Sequence, residues 1–269
     1  MEFGIAFKGE IDPKRTVAIA RQIEAAGFDY VWFVEHHFLT TFSSSPCPEV
    51  IFGALSRLTK RIRLGFGVVI LPYHHPVRVA ERVAMVDQLS HGRVDFGTGR
   101  SAPYEQTGMG IDPRYTRDMW EESLTMIPKI WESDTFEWQG QFWNVPPREV
   151  LPKPYQKPHP PMWVAVTSPG TELDAADRGI GCLGVTFTSF AEQEAKVKEY
   201  RRRVQNCDPV GSFVNDQVAT VNFLYCHQDN EVGAKTGMGM IRHFNYMAAQ
   251  LDMAKEAYPV CFPAPKCLE

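Results

Sequence analysis

Residues 62–98 read IRLGFGVVILPYHHPVRVAERVAMVDQLSHGRVDFGT, and this stretch decides the fold class. Its first part, 62–71, is an apolar run too short to span a bilayer and closed by Pro72, which reads as a strand. Residues 77–89 then change to a helical pattern that His91-Gly92 ends, and 94–98 returns to a short strand-like run. Strand, helix and strand in this order make a crossover between parallel neighbours.

The same alternation extends in both directions. Further strands are predicted at 3–7, 30–34, 162–166, 183–187 and 218–226. Asp12 and Pro13 suit the N-cap and first position of a helix with an apolar stripe at Val17, Ala20, Ile23 and Ala26, stopped by Gly27. More helices are expected from Pro48 to Leu58 and over 117–131, 171–177, 190–204 and 231–257. Residues 135–160, rich in Pro, Trp and Phe, break the rhythm and read as a hairpin-like excursion. The count is seven strands with no convincing eighth, in one α/β domain over 1–269, since no linker divides the chain. Alternation alone fits either a closed TIM-like barrel or an open doubly wound sheet. The lack of GxGxxG after the first strand weighs against a dinucleotide fold.

Composition excludes several function classes. The chain has 269 residues, 28 Lys plus Arg against 32 Asp plus Glu, and a net charge of -4, with 44% hydrophobic and 22% charged residues. A mildly acidic chain whose only basic run is Arg201-Arg202-Arg203 is a poor match for nucleic acid. Six Cys without a CxxC pair argue against a zinc knuckle or redox motif. No secretory leader or membrane span is evident, so a reduced, cytoplasmic, soluble setting is expected.

In a (β/α) barrel the chemistry sits where strands end, which selects four places. After the second strand comes Glu35-His36-His37-Phe38; side chains alternate along a strand, so the two histidines cannot both enter one pocket and make a poor metal site. The same holds for His74-His75. A buried, hydrogen-bonded histidine is the ordinary explanation, and a general acid/base is the functional one. In the third strand Gly65 and Gly67 flank Phe66, which either serves packing or lets a flat ligand lie close. Gly97-Thr98-Gly99-Arg100-Ser101-Ala102 joins small residues to a guanidinium, which suits an anion unless Arg100 simply pairs with a carboxylate. Thr167-Ser168-Pro169-Gly170-Thr171 opens a helix, so its hydroxyls either cap that helix or meet a phosphate. Two anion-friendly spots on successive strand ends suggest a phosphorylated cofactor.

Four segments in order, Glu35-His36-His37-Phe38, the stretch from Leu71-Pro72 to Glu81, Gly92 to Arg100, and Pro161 to Gly181, resemble the bacterial luciferase-like flavin monooxygenase family, over residues 1 to about 250. The resemblance implies a TIM-like (β/α) barrel that binds reduced FMN from a separate flavin reductase. It also implies O2 reacting through a flavin 4a-hydroperoxide to oxygenate a small organic substrate, and a homodimer or related-subunit dimer. Position by position, His36 matches the catalytic histidine. Arg100, Ser168 and Thr171 match the phosphate-binding set, assisted by backbone near Ala102. Gly67-Val68 matches the site of a non-proline cis peptide under the isoalloxazine. Gly99 and Thr167 complete the expected cofactor-binding residues, but bacterial luciferase has a cysteine and an acidic residue there, so light emission from a long-chain aldehyde is not expected. Trp32, Phe38, Phe66, Tyr104, Trp163 and Phe187 are candidates for apolar walls that exclude water. Alternative readings are a deazaflavin-dependent oxidoreductase of the same superfamily, a non-catalytic flavin-binding relative and, more distantly, a metal hydrolase. Family members continue through an eighth βα unit. The expectation is therefore an unfinished barrel with edges on the first and seventh strands, in a truncated chain whose Leu268-Glu269 resembles a cloning remnant.

Overall fold

A computed structural model of the chain describes residues 1–7, 12–39, 43, 45–168, 170–185 and 189–257. In chain order the elements begin β1 (Gly4–Phe7), α1 (Pro13–Ala25), β2 (Tyr30–Phe33), α2 (Pro48–Leu58), β3 (Arg63–Phe66) and β4 (Val69–Ile70). A 3-10 turn (Leu71–Tyr73), α3 (Pro76–Ser90), β5 (Val94–Gly99), α4 (Pro103–Gly108), a second 3-10 turn (Pro113–Tyr115) and α5 (Thr116–Glu132) follow. Then come the hairpin strands β6 (Phe136–Gln139) and β7 (Asn144–Arg148), β8 (Met162–Ala165) and α6 (Thr171–Asp177). The last elements are β9 (Gly181–Val185), α7 (Phe190–Val204), β10 (Val218–Val221) and α8 (Asn230–Ala257).

The main sheet is parallel throughout and follows the order β1-β2-β3-β5-β8-β9-β10, with β4 alongside β5. It is a nearly closed (β/α) barrel of seven staves. Among the described residues β1 and β10 do not pair with each other, which is the edge pair expected from the strand count.

Three elements differ from the sequence reading. The predicted strand 62–71 is two strands: Leu64 pairs with Val94 but Val69 with Thr98, so five steps on one side match four on the other. The extra residue is taken up at Gly67–Val68, as in a bulge. Between the predicted strand 94–98 and the predicted helix 117–131, where the sequence reading assigns no element, lies α4, which starts on Pro103 at a first-turn position. The predicted strand 218–226 shortens to β10, which lies at the sheet edge with β9 as its one partner among the described residues. The 135–160 excursion is the β6–β7 hairpin, and α5 holds it. Glu122 accepts from the Trp138 indole and from the amides of Gln141, Phe142 and Trp143.

Alternation sorts the strand residues into two layers. Phe33 and Phe66 face outward, where Phe52 of α2 meets them edge-on at 5.2 and 4.8 Å, and Phe96 meets Trp131 of α5 at 5.3 Å. The opposite face fills the barrel. Trp32 and Trp163 meet edge-to-face at 5.4 Å. Arg63 Nε donates to Asp95 at 2.5 Å, and Asp95 also accepts from Trp163 Nε1 at 3.0 Å. A Cβ on Gly65 would lie 2.2 Å from the Trp32 ring, and one on Gly181 2.6 Å from that of Trp163. Gly65 therefore serves packing rather than a flat ligand, and Phe66 belongs to the helix-side core rather than to a pocket wall. Phe187 lies outside the described residues.

Candidate active site

β2 ends at Phe33, and the chain turns through Glu35, His36 and His37 at the mouth of the barrel. The adjacent histidines go to different carboxylates. His36 Nδ1 lies 3.0 and 3.3 Å from the two oxygens of Glu105, a side chain with no exposed surface on α4. Glu105 also accepts from the His37 amide at 2.5 Å and from the Ser101 hydroxyl. Burial alone would push its carboxyl up, but the bonds from His36, the His37 amide and Ser101 outweigh that and hold it below its ordinary value. As a carboxylate, Glu105 accepts only, so His36 Nδ1 carries the hydrogen.

The second carboxylate is Glu35, 4% exposed. His37 Nε2 at 3.1 Å and His74 Nε2 at 2.7 Å meet its Oε1, while the Ile70 amide donates to Oε2 at 2.8 Å. Burial again works against the charge, yet the His37 and His74 bonds, the charge of His74 and the Ile70 amide hold the carboxyl at about 2. Of the three imidazoles, His37 and His74 are engaged through Nε2 and His36 through Nδ1. Of these three, His36 is thus the one whose Nε2 has no hydrogen-bond partner among the described residues. His75 instead caps α3, its Nδ1 accepting from the Val77 amide at 3.2 Å. Among the described residues no group of three or more His, Cys, Asp or Glu is arranged to hold a metal ion.

The expected cofactor residues gather on neighbouring strand ends. The Gly67–Val68 peptide is cis, as expected there, and the Gly67 amide donates to Phe33 O at 2.8 Å. Ile70 pairs with Gly99, whose Cβ, were there one, would lie 2.5 Å from a Val68 methyl. Thr98 pairs with Val164, so Arg100 and Thr167–Ser168 leave adjacent strands, β5 and β8. Arg100 is exposed, and among the described residues only its carbonyl is engaged, by Gln106 at 2.8 Å. Ala102 is the N-cap of α4. Gly170, at φ 84°, is the N-cap of α6, with no side-chain capping bond. Among the described residues neither the Ser168 nor the Thr171 hydroxyl makes a capping bond to α6. A guanidinium with no carboxylate partner among the described residues, leaving the strand next to the one these hydroxyls follow, suits a phosphate.

A cavity of about 200 Å3 touches Thr167 and Ser168 but lies on the helix side of β9. Cys182 and Gly184 line it, whereas Leu183 between them points inward to Gly97, so the cavity is separate from the His36 cluster. Two groups of the cluster are not evident from sequence: Glu105, whose short helix no periodicity marks, and the Glu35–His74 contact, which spans 39 residues. Pro103 ahead of Glu105 was the available signal for the first.

The chain matches the luciferase-like monooxygenase family over residues 1–251. It belongs to that family. The oxygenase component of a flavin-dependent trigonelline monooxygenase from Acinetobacter baylyi is 28% identical over 89% of this chain and 66% of its own. Among solved structures, the monooxygenase RslO1 from Streptomyces bottropensis superposes with a TM-score of 0.82 at 26% identity, over 95% of this chain and 80% of that one. A coenzyme F420-dependent tetrahydromethanopterin reductase from Methanopyrus kandleri shares the fold, with a TM-score of 0.72 at 18% identity, over 88% and 70% of the two chains. The chain spans 50% to 66% of the length of the first curated relatives it matches.

Proposed function

We propose that this chain is the oxygenase part of a two-component monooxygenase that takes reduced FMN from a separate reductase and oxygenates a small organic substrate. Reduced flavin supplies the two electrons that activate O2, of which one atom enters the substrate and the other leaves as water. The observation that carries the reading is the phosphate-ready set at one end of the strand ends, Arg100 with Ser168, Thr171 and Thr167, and His36 at the other.

In this reading Arg100 clamps the phosphate, and backbone at Gly99 and Ala102 stays open to it because neither residue has a long side chain. Gly67 and Val68 present backbone to the flavin ring. His36, fixed through Nδ1 by Glu105, accepts or returns a proton at Nε2. Trp32 and Trp163 close the barrel beneath and keep water out from below. We further propose a single cytoplasmic domain acting as a dimer. Among the described residues no helix is long and apolar enough to cross a membrane. Exposed Val50, Leu58, Met85 and Leu89 on the packed pair α2 and α3 offer an apolar face to a second copy.

Anaerobic titration with reduced FMN tests the assignment. Arg100→Ala should weaken binding by about 10- to 100-fold, the worth of a charge-assisted contact, whereas His36→Ala should bind normally and lose oxygenation. Unchanged affinity in the Arg100 variant removes the phosphate role. An oxygen electrode with photoreduced FMN separates this reading from hydride transfer by a deazaflavin, which consumes no O2, and from a flavin-binding protein without activity.

A further inference from the structure

Ser101 follows Arg100 directly and has φ 62°, a left-handed backbone that glycine takes freely and a residue with a side chain takes at a cost. Consecutive residues of α4 hold it there. Gln106, buried, donates its side-chain amide to the Arg100 carbonyl at 2.8 Å and to the Ser101 carbonyl at 3.1 Å. The Ser101 hydroxyl in turn donates to Oε2 of Glu105. A strained position occupied by serine, where glycine would fit, directs attention to the use of that hydroxyl.

The hydroxyl completes the fixing of the carboxylate. His36 Nδ1 lies between the two oxygens of Glu105, 3.0 Å from Oε2 and 3.3 Å from Oε1. The His37 amide anchors Oε1 at 2.5 Å, and Ser101 anchors Oε2. Each oxygen thus has one anchor besides the imidazole, and two anchors set the plane of the carboxylate. The last torsion of a glutamate is broad, so with one anchor the group can turn about its terminal bond. His36 Nδ1 then loses a fixed acceptor.

We propose that Ser101 is a positioning residue for His36: by anchoring Oε2 of Glu105 it keeps the tautomeric hydrogen of His36 on Nδ1 and so presents Nε2 to the site. The inference rests on the proposed reading that His36 handles protons at Nε2. It also joins the two ends of the site, because α4 holds both the turn that carries Arg100 and the carboxylate that holds His36.

Imidazole 15N NMR of the ligand-free full chain at about pH 8.5, above the ordinary histidine range, reads the tautomer directly, with His36 assigned by its loss in His36→Gln. In wild type the Nδ1–H form should dominate. Ser101→Gly and Ser101→Ala should each cut the ratio of Nδ1–H to Nε2–H by about two- to tenfold, the worth of one hydrogen bond. Ser101→Thr keeps the hydroxyl and should hold the wild-type ratio. Thermal melts separate this from a merely structural role. Glycine suits the backbone at Ser101 and should melt above the alanine variant by roughly 2–4 °C, while the two share the same tautomer loss. A ratio unchanged in both variants, or one that follows Tm instead of the hydroxyl, overturns the proposal. An alanine variant as stable as the glycine one removes the strain and overturns it too. Neither flavin nor substrate enters the measurement. If His36→Ala still supports oxygenation, the proton role of His36 fails while the tautomer result stands.

Discussion

Glu105→Gln is the sharpest test of the carboxylate cluster. The carboxylate accepts from the His36 ring, the His37 amide and the Ser101 hydroxyl, and its side chain has no exposed surface. Glutamine keeps the shape and one acceptor oxygen but turns an NH2 toward at least one of these donors. Charge-assisted bonds are worth about 1.5–3 kcal/mol each and neutral ones about 1 kcal/mol. Losing one donor's acceptor and the charge on the others therefore costs about 2–3 kcal/mol. In a chain of this size each kcal/mol moves Tm by roughly 2–4 °C, so the variant should melt roughly 4–12 °C lower at pH 7. The pH dependence carries a second signature. Glu105 is depressed below its ordinary value of 4.5, so its contribution is complete above 4.5 and lost as pH falls through the depressed value. Calorimetric melts of both proteins from pH 7 to pH 3 should show the gap closing at the acid end. A gap that stays constant, or a Tm at pH 7 within 1 °C of wild type, refutes the reasoning.

Two more predictions concern stability. Glu35, held at about 2 instead of 4.5, contributes roughly 3 kcal/mol above pH 4.5, lost between pH 4.5 and 2; urea unfolding of Glu35→Gln should show a shallower acid slope than wild type, and equal slopes count against it. Gly97→Ala places a Cβ 2.0 Å from the Phe66 carbonyl and should cost about 1–3 kcal/mol, whereas Gly53→Ala in α2, with nothing within 4 Å, should gain up to about 1 kcal/mol; denaturation midpoints that move together contradict the packing described.

Most elements could be read locally. Helices 171–177 and 190–204 start where Gly170 and Ser189 cap them, and Ser189 with Glu192 forms a capping box that four residues of sequence already contain. Strand ends next to glycine were harder. The break at Gly67–Val68 is a matter of register against β5, which no local pattern encodes. Of the candidate site, the positions of His36 and Arg100 at strand ends could be read from sequence, whereas roles for them came from the resemblance. Glu105 and His74 could not be read, because their roles depend on partners 69 and 39 residues away. Gly65 was legible as special but for either of two reasons, and only the Trp32 ring above it decides between them.

The paired indoles have a consequence for how such a protein can change what it accepts. With Trp32 and Trp163 wedged against Gly65 and Gly181, and Arg63 locked to Asp95, the lower barrel has no slack. A larger or differently shaped guest cannot be admitted by trimming the staves without loosening the scaffold itself. Variation in selectivity is thereby confined to the rim, to segments such as the turn bearing Tyr73 and the stretch from Arg100 through α4. Directed libraries aimed at new substrates should be built there, with the tryptophan–glycine plug left intact.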